Sequence, residues 1–321
     1  MSKTLIRSGL IVSDGRSFRG DILIEGEKIV AVDEKIDSPS GVGRIINASG
    51  CEIFPGGIDP HVHLELDTPS GQSSDDFESG SRAALAGGTT TVIDFVTPGR
   101  SESLLSALAD RKEAARKSLC DYGLHISVTS WHDGIMKELE ACSRKGIRSI
   151  KTYMAYRETI GLSDNELLAV FDAAKKLKLL TLVHAESGDM VSYLQRKMLE
   201  QGNRTAAHHP DSRPPELEGD AVRRALLMAR LAGNPLYIVH VSSCQGVDAI
   251  LEARKSGQTA IGETCPQYLL LDESRYKTGN EATAAVHVMS PPLRSEHHRD
   301  ALWDAMEKGI VQTLATDHCP F

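Results

Sequence analysis

Over the first 54 residues apolar and polar positions alternate in short runs, "TLIRSGLIV", "DILIEGEKIVAV" and "RIINASGCEIF", separated by Gly, Asp and Ser. A period of two buries one face of a strand, so residues 1–54 are predicted to form a small β domain, the N-terminal part of a β-sandwich-like unit. From Pro55 onward the rhythm changes. β-type apolar runs at 53–63, 89–96, 124–130, 149–156, 179–187, 235–243, 259–266 and 310–318 alternate with stretches of helical spacing. The clearest such stretch is "SDNELLAVFDAAKKLK" (163–178), where Leu167, Leu168, Phe171, Ala174 and Leu177 form one stripe. Its Ser163 and Glu166 have the spacing of a capping box, which gives the helix a defined start. Similar stripes fall around 101–117, 217–232, 244–256 and 296–308.

Eight β runs alternating with helices predict an α/β fold, a (β/α)8 barrel of the TIM type, over residues 55–321. An open doubly wound sheet is the alternative on pattern alone, but the Gly-x-Gly-x-x-Gly turn that a Rossmann unit needs after an early strand is missing. The chain stops at "TDHCPF", directly after the eighth run, with no helix to cover that strand. Uncovered apolar strand surface costs about 25 cal/mol per Å², so the sequence predicts a barrel truncated after strand 8, a fragment of a longer chain.

Composition narrows the function classes. With 40% apolar and 25% charged residues in 321, the chain carries enough apolar surface for a large core. Lys and Arg number 36 against 44 Asp and Glu, and the basic residues are scattered, so no patch for nucleic acid is present and a small-molecule partner is expected. The N-terminal "MSKTLIRSGLIVSDG" lacks the continuous apolar stretch of a signal peptide or membrane span, which predicts a cytoplasmic protein with no membrane partner. Six widely separated cysteines without a Cys-x-x-Cys pair fit reduced, buried thiols better than disulfides or a structural zinc site.

The candidate chemistry begins at "GGIDPHVHLELD" (56–67). Side chains at i and i+2 of a strand share a face, so His61 and His63 can turn together toward a barrel interior and hold one ion. Lys151, His184, His240 and Asp317 sit late in four other apolar runs, where barrel active sites are built. Burying such groups is costly unless they are paired or bound to metal, and five strands carrying them together point to a metal site.

These motifs, "PGGIDPHVHLE", "DDFESGSRAALAGGTTTVIDF", "SIKTYMAY", "LVHAE", "IVHVSS", "ETCPQYLLLDES", "MSPPLR" and "ATDHCPF", resemble in order and spacing the dihydropyrimidinase and hydantoinase branch of the cyclic amidohydrolases. The resemblance implies two zinc ions per subunit. His61, His63 and Asp317 would hold one, His184 and His240 the other, and N6-carboxylated Lys151 would bridge them. It further implies that a zinc-bridged hydroxide opens the cyclic amide of a dihydropyrimidine or 5-substituted hydantoin, giving an N-carbamoyl amino acid. By the same resemblance Asp317 moves the proton, Tyr156 hydrogen-bonds the developing oxyanion, and Ser290 contacts the substrate ring. A homo-oligomer, tetramer or dimer, is implied too. So are an asparagine, a final helix and a C-terminal segment beyond the point where this sequence stops.

Two other readings remain. Allantoinases and dihydroorotases resemble the pattern but place an arginine shortly after the second histidine, where this chain has Leu64-Glu65-Leu66-Asp67. An anionic substrate facing Glu65 would be repelled, which favours a neutral cyclic diamide or ureide. A dihydropyrimidinase-like scaffold without catalysis would have no use for six inward polar groups. The remaining histidines, His125, His132, His208, His209, His287, His297 and His298, are expected to be surface or structural, with His318 an outer partner of the site at most.

Overall fold

The structure, a computed structural model, describes residues 2–13, 15–37, 40–68 and 71–321. It divides into two compact units, Met1–Gly57 and Ile58–Phe321.

In the first unit the predicted alternation becomes β1 (Lys3–Ser13), β2 (Arg16–Glu25), β3 (Lys28–Asp33), β4 (Val42–Asn47) and β5 (Glu52–Ile53). The sheet runs β3-β2-β1-β4, with β5 also on β1; the hairpin partners are antiparallel, whereas β4 and β5 lie parallel to β1. A register shift between Ile6 and Gly9 sits where Ser8 takes φ 64°. A Cβ at Gly9 would stand 2.4 Å from the end of the Ile53 side chain, so a larger residue in this bulge would have to displace Ile53. Leu5, Ile11, Ile22 and Leu23 are buried.

The second unit is the predicted barrel. Its strands are β6 (Gly57–Val62), then, after a small antiparallel hairpin of β7 (Asp67–Thr68) and β8 (Gly71–Gln72), β9 (Thr89–Val96), β10 (Asp121–Ser127), β11 (Ser149–Tyr153), β12 (Leu180–His184), β13 (Leu236–Ile238), β14 (Ala260–Thr264) and β15 (Thr313–Leu314). Eight of them form one sheet in sequence order from β6 to β15, and the neighbours from β9 through β15 pair in parallel. The ring closes beyond β15, where Val62 bridges His318 in parallel, Asp317 N–H donates to His61 O (2.9 Å) and His63 N–H to His318 O (2.7 Å).

Between the strands lie α1 (Phe77–Ala86), α2 (Leu104–Ala114), α3 (Ile135–Arg144), α4 (Asp164–Leu177), α5 (Gly188–Glu200), α6 (Pro215–Ala232), α7 (Cys244–Lys255), α8 (Pro266–Leu270), α9 (Glu281–Ala285) and α10 (Glu296–Glu307). The α4 capping box is present: Ser163 Oγ accepts from Glu166 N–H while the Glu166 carboxylate accepts from Ser163 N–H. Leu167, Val170, Phe171 and Ala174 bury its inner stripe. The stripe at 101–117 is shorter than predicted, ending as a 3-10 turn over Ala115–Lys117. The α1 and α5 helices were not predicted, because their buried positions are Phe77, Gly80 and Ser81 in one and Gly188 and Val191 in the other. Small or polar residues on the inner face leave no apolar periodicity to read.

Most of the core fills the layer between helices and strands, as with Ile126, Ile150, Phe171, Val183 and Ile250. A smaller cluster of Phe95, Leu182, Tyr237 and Val239 occupies the opposite strand faces. Leu182 and His184 are two apart on β12 and share that inward face, so this cluster floors the candidate site. Among the described residues no helix is long and apolar enough to cross a membrane.

Candidate metal centre

Five of the six sequence-predicted metal residues stand at or just past the C-terminal end of a strand, and Lys151 stands at the middle of its own. His61 lies in β6 and His63 one residue beyond it, Lys151 lies in β11, and His184 closes β12. His240 follows β13 by two residues and Asp317 follows β15 by three. His61, Lys151, His184 and His240 are buried, and His63 and Asp317 half-buried.

Three of these donors meet at one point. His61 Nε2 is 3.2 Å from His63 Nε2, and Asp317 Oδ1 is 3.1 Å from the first and 3.2 Å from the second. The edges of a tetrahedron around an ion with bonds of 2.0–2.1 Å measure about 3.3 to 3.4 Å, so this triangle has the dimensions of a zinc-sized coordination face. Next to it the His184 and His240 rings meet edge to face at 4.6 Å, and the His240 and His61 rings lie 5.6 Å apart. Lys151 Nζ lies 4.8 Å from the Phe95 ring and 5.4 Å from that of Tyr153.

Electrostatics follow from that crowding. Burial, opposed by Asp317 and Glu263, pulls the Lys151 amine down to about 8. Burial and then the Lys151 charge hold His61 well below its ordinary value, and burial with the neighbouring His184 does the same for His240. Burial pushes the Asp317 carboxyl up, but His61, His63 and His240 outweigh it and hold it well below the carboxylate range. The His61 and His240 imidazoles are therefore held neutral and the Asp317 carboxylate ionised at neutral pH, the protonation states a metal requires.

Four non-glycine residues here adopt positive φ: Glu65 (46°), Tyr156 (59°), His240 (40°) and Asp317 (52°). Such backbone costs of order 1–3 kcal/mol per residue and persists where surrounding structure imposes it, commonly at functional sites.

Tyr156 and Ser290, from distant segments, come together, with the tyrosine hydroxyl in hydrogen-bond contact with the serine side chain. The Tyr156 ring lies 5.1 Å from that of His184 and 5.7 Å from the Arg213 guanidinium. Burial pushes its hydroxyl up to about 12, so it stays protonated and able to donate.

A ring of carboxylates orients the histidines, and the sequence analysis missed it. Glu263 Oε1 accepts from His61 Nδ1 (2.7 Å) and from His240 N–H (3.1 Å), while its Oε2 accepts from Tyr237 Oη (2.6 Å). Occupying His61 Nδ1 leaves its Nε2 lone pair for an ion. Glu186 plays the same part for His184, accepting from Nε2 at 2.8 Å and pairing with Arg213. Burial raises the Glu186 carboxyl, but Arg213 and His184 outweigh it and hold it at about 2. Asp59 takes the N–H of Thr316 (3.1 Å) and of His61 (3.2 Å), tying the segment before Asp317 to β6. A signal existed for Glu186, two residues after His184 on the same face, and for Glu263, a lone charge in an apolar run. Arg213, in a loop, had none.

Other expectations meet mixed outcomes. His125 is structural, held between Ser149 Oγ and Pro60 O, and His318 pairs with Asp75 at 2.8 Å. The argument from Glu65 is corrected: its carboxylate is engaged by Lys117 at 3.2 Å, so its charge is not free to repel a substrate. All six cysteines are unpaired.

The model of the amidohydrolase family matches residues 53–320. A D-hydantoinase of Geobacillus stearothermophilus is 43% identical over 319 residues, covering 99% of this chain and 67% of that protein. A dihydropyrimidinase of Arabidopsis thaliana is 40% identical over 321 residues, covering 100% of this chain and 60% of that protein. The crystal structure of the dihydropyrimidinase from Brevibacillus agri superposes with a TM-score of 0.96 at 41% identity, covering 99% of this chain and 69% of the other. The chain thus spans between 60% and 69% of these relatives' lengths.

Proposed function

The chain belongs to the amidohydrolase family, in its dihydropyrimidinase and hydantoinase branch, and from that premise we propose that it hydrolyses the ring amide of a dihydropyrimidine or 5-substituted hydantoin. The observation that carries the reading is the triangle of His61 Nε2, His63 Nε2 and Asp317 Oδ1, with the buried Lys151 amine and the His184 and His240 pair alongside.

These residues fit a pair of divalent zinc ions. Two imidazole nitrogens and a carboxylate oxygen at about 3 Å need a proton or a cation among them, and the spacing suits a zinc-sized cation. His61, His63 and Asp317 would hold one ion, His184 and His240 the second, and Lys151, as its carbamate, both. When bound, the ions supply Lewis acidity for the scissile carbonyl and acidify the attacking water.

The chain's own groups do the rest. A lysine brought to about 8 offers a neutral amine to CO2, forming the N–C bond and releasing a proton. Asp317, ionised and directed at the same point, takes the proton of the attacking water and passes it to the leaving ring nitrogen. Tyr156 donates its hydroxyl proton to the carbonyl oxygen as charge develops there, and Ser290 beside it orients the ring. Arg213 spends its charge on Glu186, which supports a neutral diamide over an anionic substrate. A cytoplasmic location is part of the proposal, supported by the six unpaired thiols. A homo-oligomer is part of it too, supported by exposed Tyr193, Leu227 and Leu231 on α5 and α6.

The test is a hydrolysis assay of the zinc-loaded protein on dihydrouracil, 5-phenylhydantoin, allantoin and dihydroorotate, with Lys151→Ala as control. Turnover of the first two, lost in Lys151→Ala, is expected. Turnover of dihydroorotate alone, or fewer than one zinc per chain after growth with zinc and bicarbonate, would overturn it.

A further inference from the structure

A second group of metal-binding side chains lies in the helical layer, where α7 and α10 pack together. Cys244 is the first residue of α7, after its N-cap Ser243, and His297 and His298 are the second and third of α10. Cys244 Sγ stands 3.5 Å from His297 Nε2, Cys244 N–H donates to His298 Nδ1 at 3.2 Å, and one donor atom from each residue lies within 4.8 Å of the others. Bonds of about 2.3 Å to sulfur and 2.0–2.1 Å to nitrogen give a tetrahedral S–N edge of about 3.5 Å. His298 is buried, Cys244 half-buried and His297 exposed, so one side of the group remains open to water.

We propose that Cys244, His297 and His298 form a binding site for one borderline divalent cation of the zinc or cobalt type, separate from the candidate catalytic centre, which clasps the start of α10 to the start of α7.

The donor set suits this class, since one thiolate and two imidazoles select zinc-like ions over magnesium or calcium. Water completes the tetrahedron. The hydrogen bonds can be rearranged to permit it. Without an ion, the His298 Nδ1 lone pair is occupied by the Cys244 N–H and the thiol donates to Gln245 Oε1 at 3.2 Å. With an ion, the thiol loses its proton to solvent and the S–metal bond forms. Burial and then Asp248 push the Cys244 thiol up, so it is the bond to the ion that holds the thiolate, with the N–H groups of Cys244 and Gln245 at the helix start donating to it and partly offsetting the burial. The His298 Nδ1 lone pair is thereby released to the ion. Asp248 near Cys244, and Glu216 and Glu218 near His298, add negative charge, with Arg294 opposing.

The alternative is a packed thiol and two histidines with no affinity for ions. The two are separated by loading the full chain, stripped with a chelator, with Co2+ alone, in parallel with Cys244→Ser and His297→Ala. The parent is expected to bind one more Co2+ per chain than either variant. Its spectrum minus that of Cys244→Ser should show a thiolate-to-cobalt charge-transfer band. Far-UV circular dichroism of both variants checks that the fold is kept, and His297→Ala, altering an exposed side chain, covers the case in which the serine variant does not fold. Equal stoichiometry in all three folded proteins, or an extra Co2+ that survives in His297→Ala without a thiolate band in the parent, would overturn the proposal.

Discussion

At the residue scale Lys151 carries the sharpest consequence of burial. It is 1% exposed, and desolvation brings its amine to about 8 from an ordinary 10.5. A lowered pKa populates the neutral amine at lower pH, and only that form captures CO2. At a constant concentration of dissolved CO2, reconstitution of metal-free protein should therefore quicken about tenfold per pH unit between pH 6 and 8 and level off above, measured as recovered zinc content. A rate still climbing between pH 9 and 10 would place the amine near its ordinary value. Glu263 makes a second prediction. Because one oxygen takes both His61 Nδ1–H and His240 N–H, Glu263→Ala should weaken zinc binding by about 10–100-fold. Glu263→Gln, which keeps an acceptor there, should lose less, with isothermal titration as the measurement. The candidate ligands were legible in the sequence, since a histidine or lysine inside an apolar run is a local anomaly. Glu263 was passed over because its partners are 202 and 23 residues away.

At the scale of elements, helices were legible where a stripe and a cap coincide. The segment 163–178 was predicted and α4 spans Asp164–Leu177, because both its apolar spacing and its Ser163–Glu166 reciprocal bonds are local. Ser163→Ala removes one of those bonds and should cost about 1 kcal/mol in urea unfolding, with the Glu166 carboxylate still near the Ser163 N–H. Strand lengths were overestimated. The run 235–243 was predicted, yet the regular ladder covers only Leu236–Ile238; beyond it His240 takes positive φ, while Val239 and Val241 N–H still bond to Val183 O and Glu263 O of the neighbouring strands. Apolar content continues past the regular ladder because those residues still pack inward. Val239 and Val241 are buried, so hydrophobicity alone could not mark where pairing stops and the site begins.

At the scale of the whole barrel unit, the candidate metal residues stand on the joint that closes the ring. His61 and His63 come with β6, Asp317 follows β15, and the joint between them consists of the Val62 and His318 bridge, two backbone hydrogen bonds and Asp59 on Thr316. An ion held by all three donors would fasten that joint. Zinc at 1,000 times its Kd contributes about 4 kcal/mol, so removing it with a chelator should lower Tm by roughly 10 °C. Zinc should restore the loss in the parent but not in Asp317→Ala. An unchanged Tm in calorimetry would show that the joint holds without the ion.

The sequence by itself determined the order of the eight barrel strands and five of the helices between them, the barrel class, and which strands carry inward polar groups. Those are encoded in periods of two and of 3.6 residues and in single charges set among apolar neighbours, all readable within a short window. Only the tertiary structure decided which donors share a point, which carboxylate orients each histidine, where the charge of Glu65 goes, and that Cys244 meets His297. Each of those facts depends on contacts between residues tens to hundreds of positions apart, and such distances are set when the ring of strands closes and its helices pack around it.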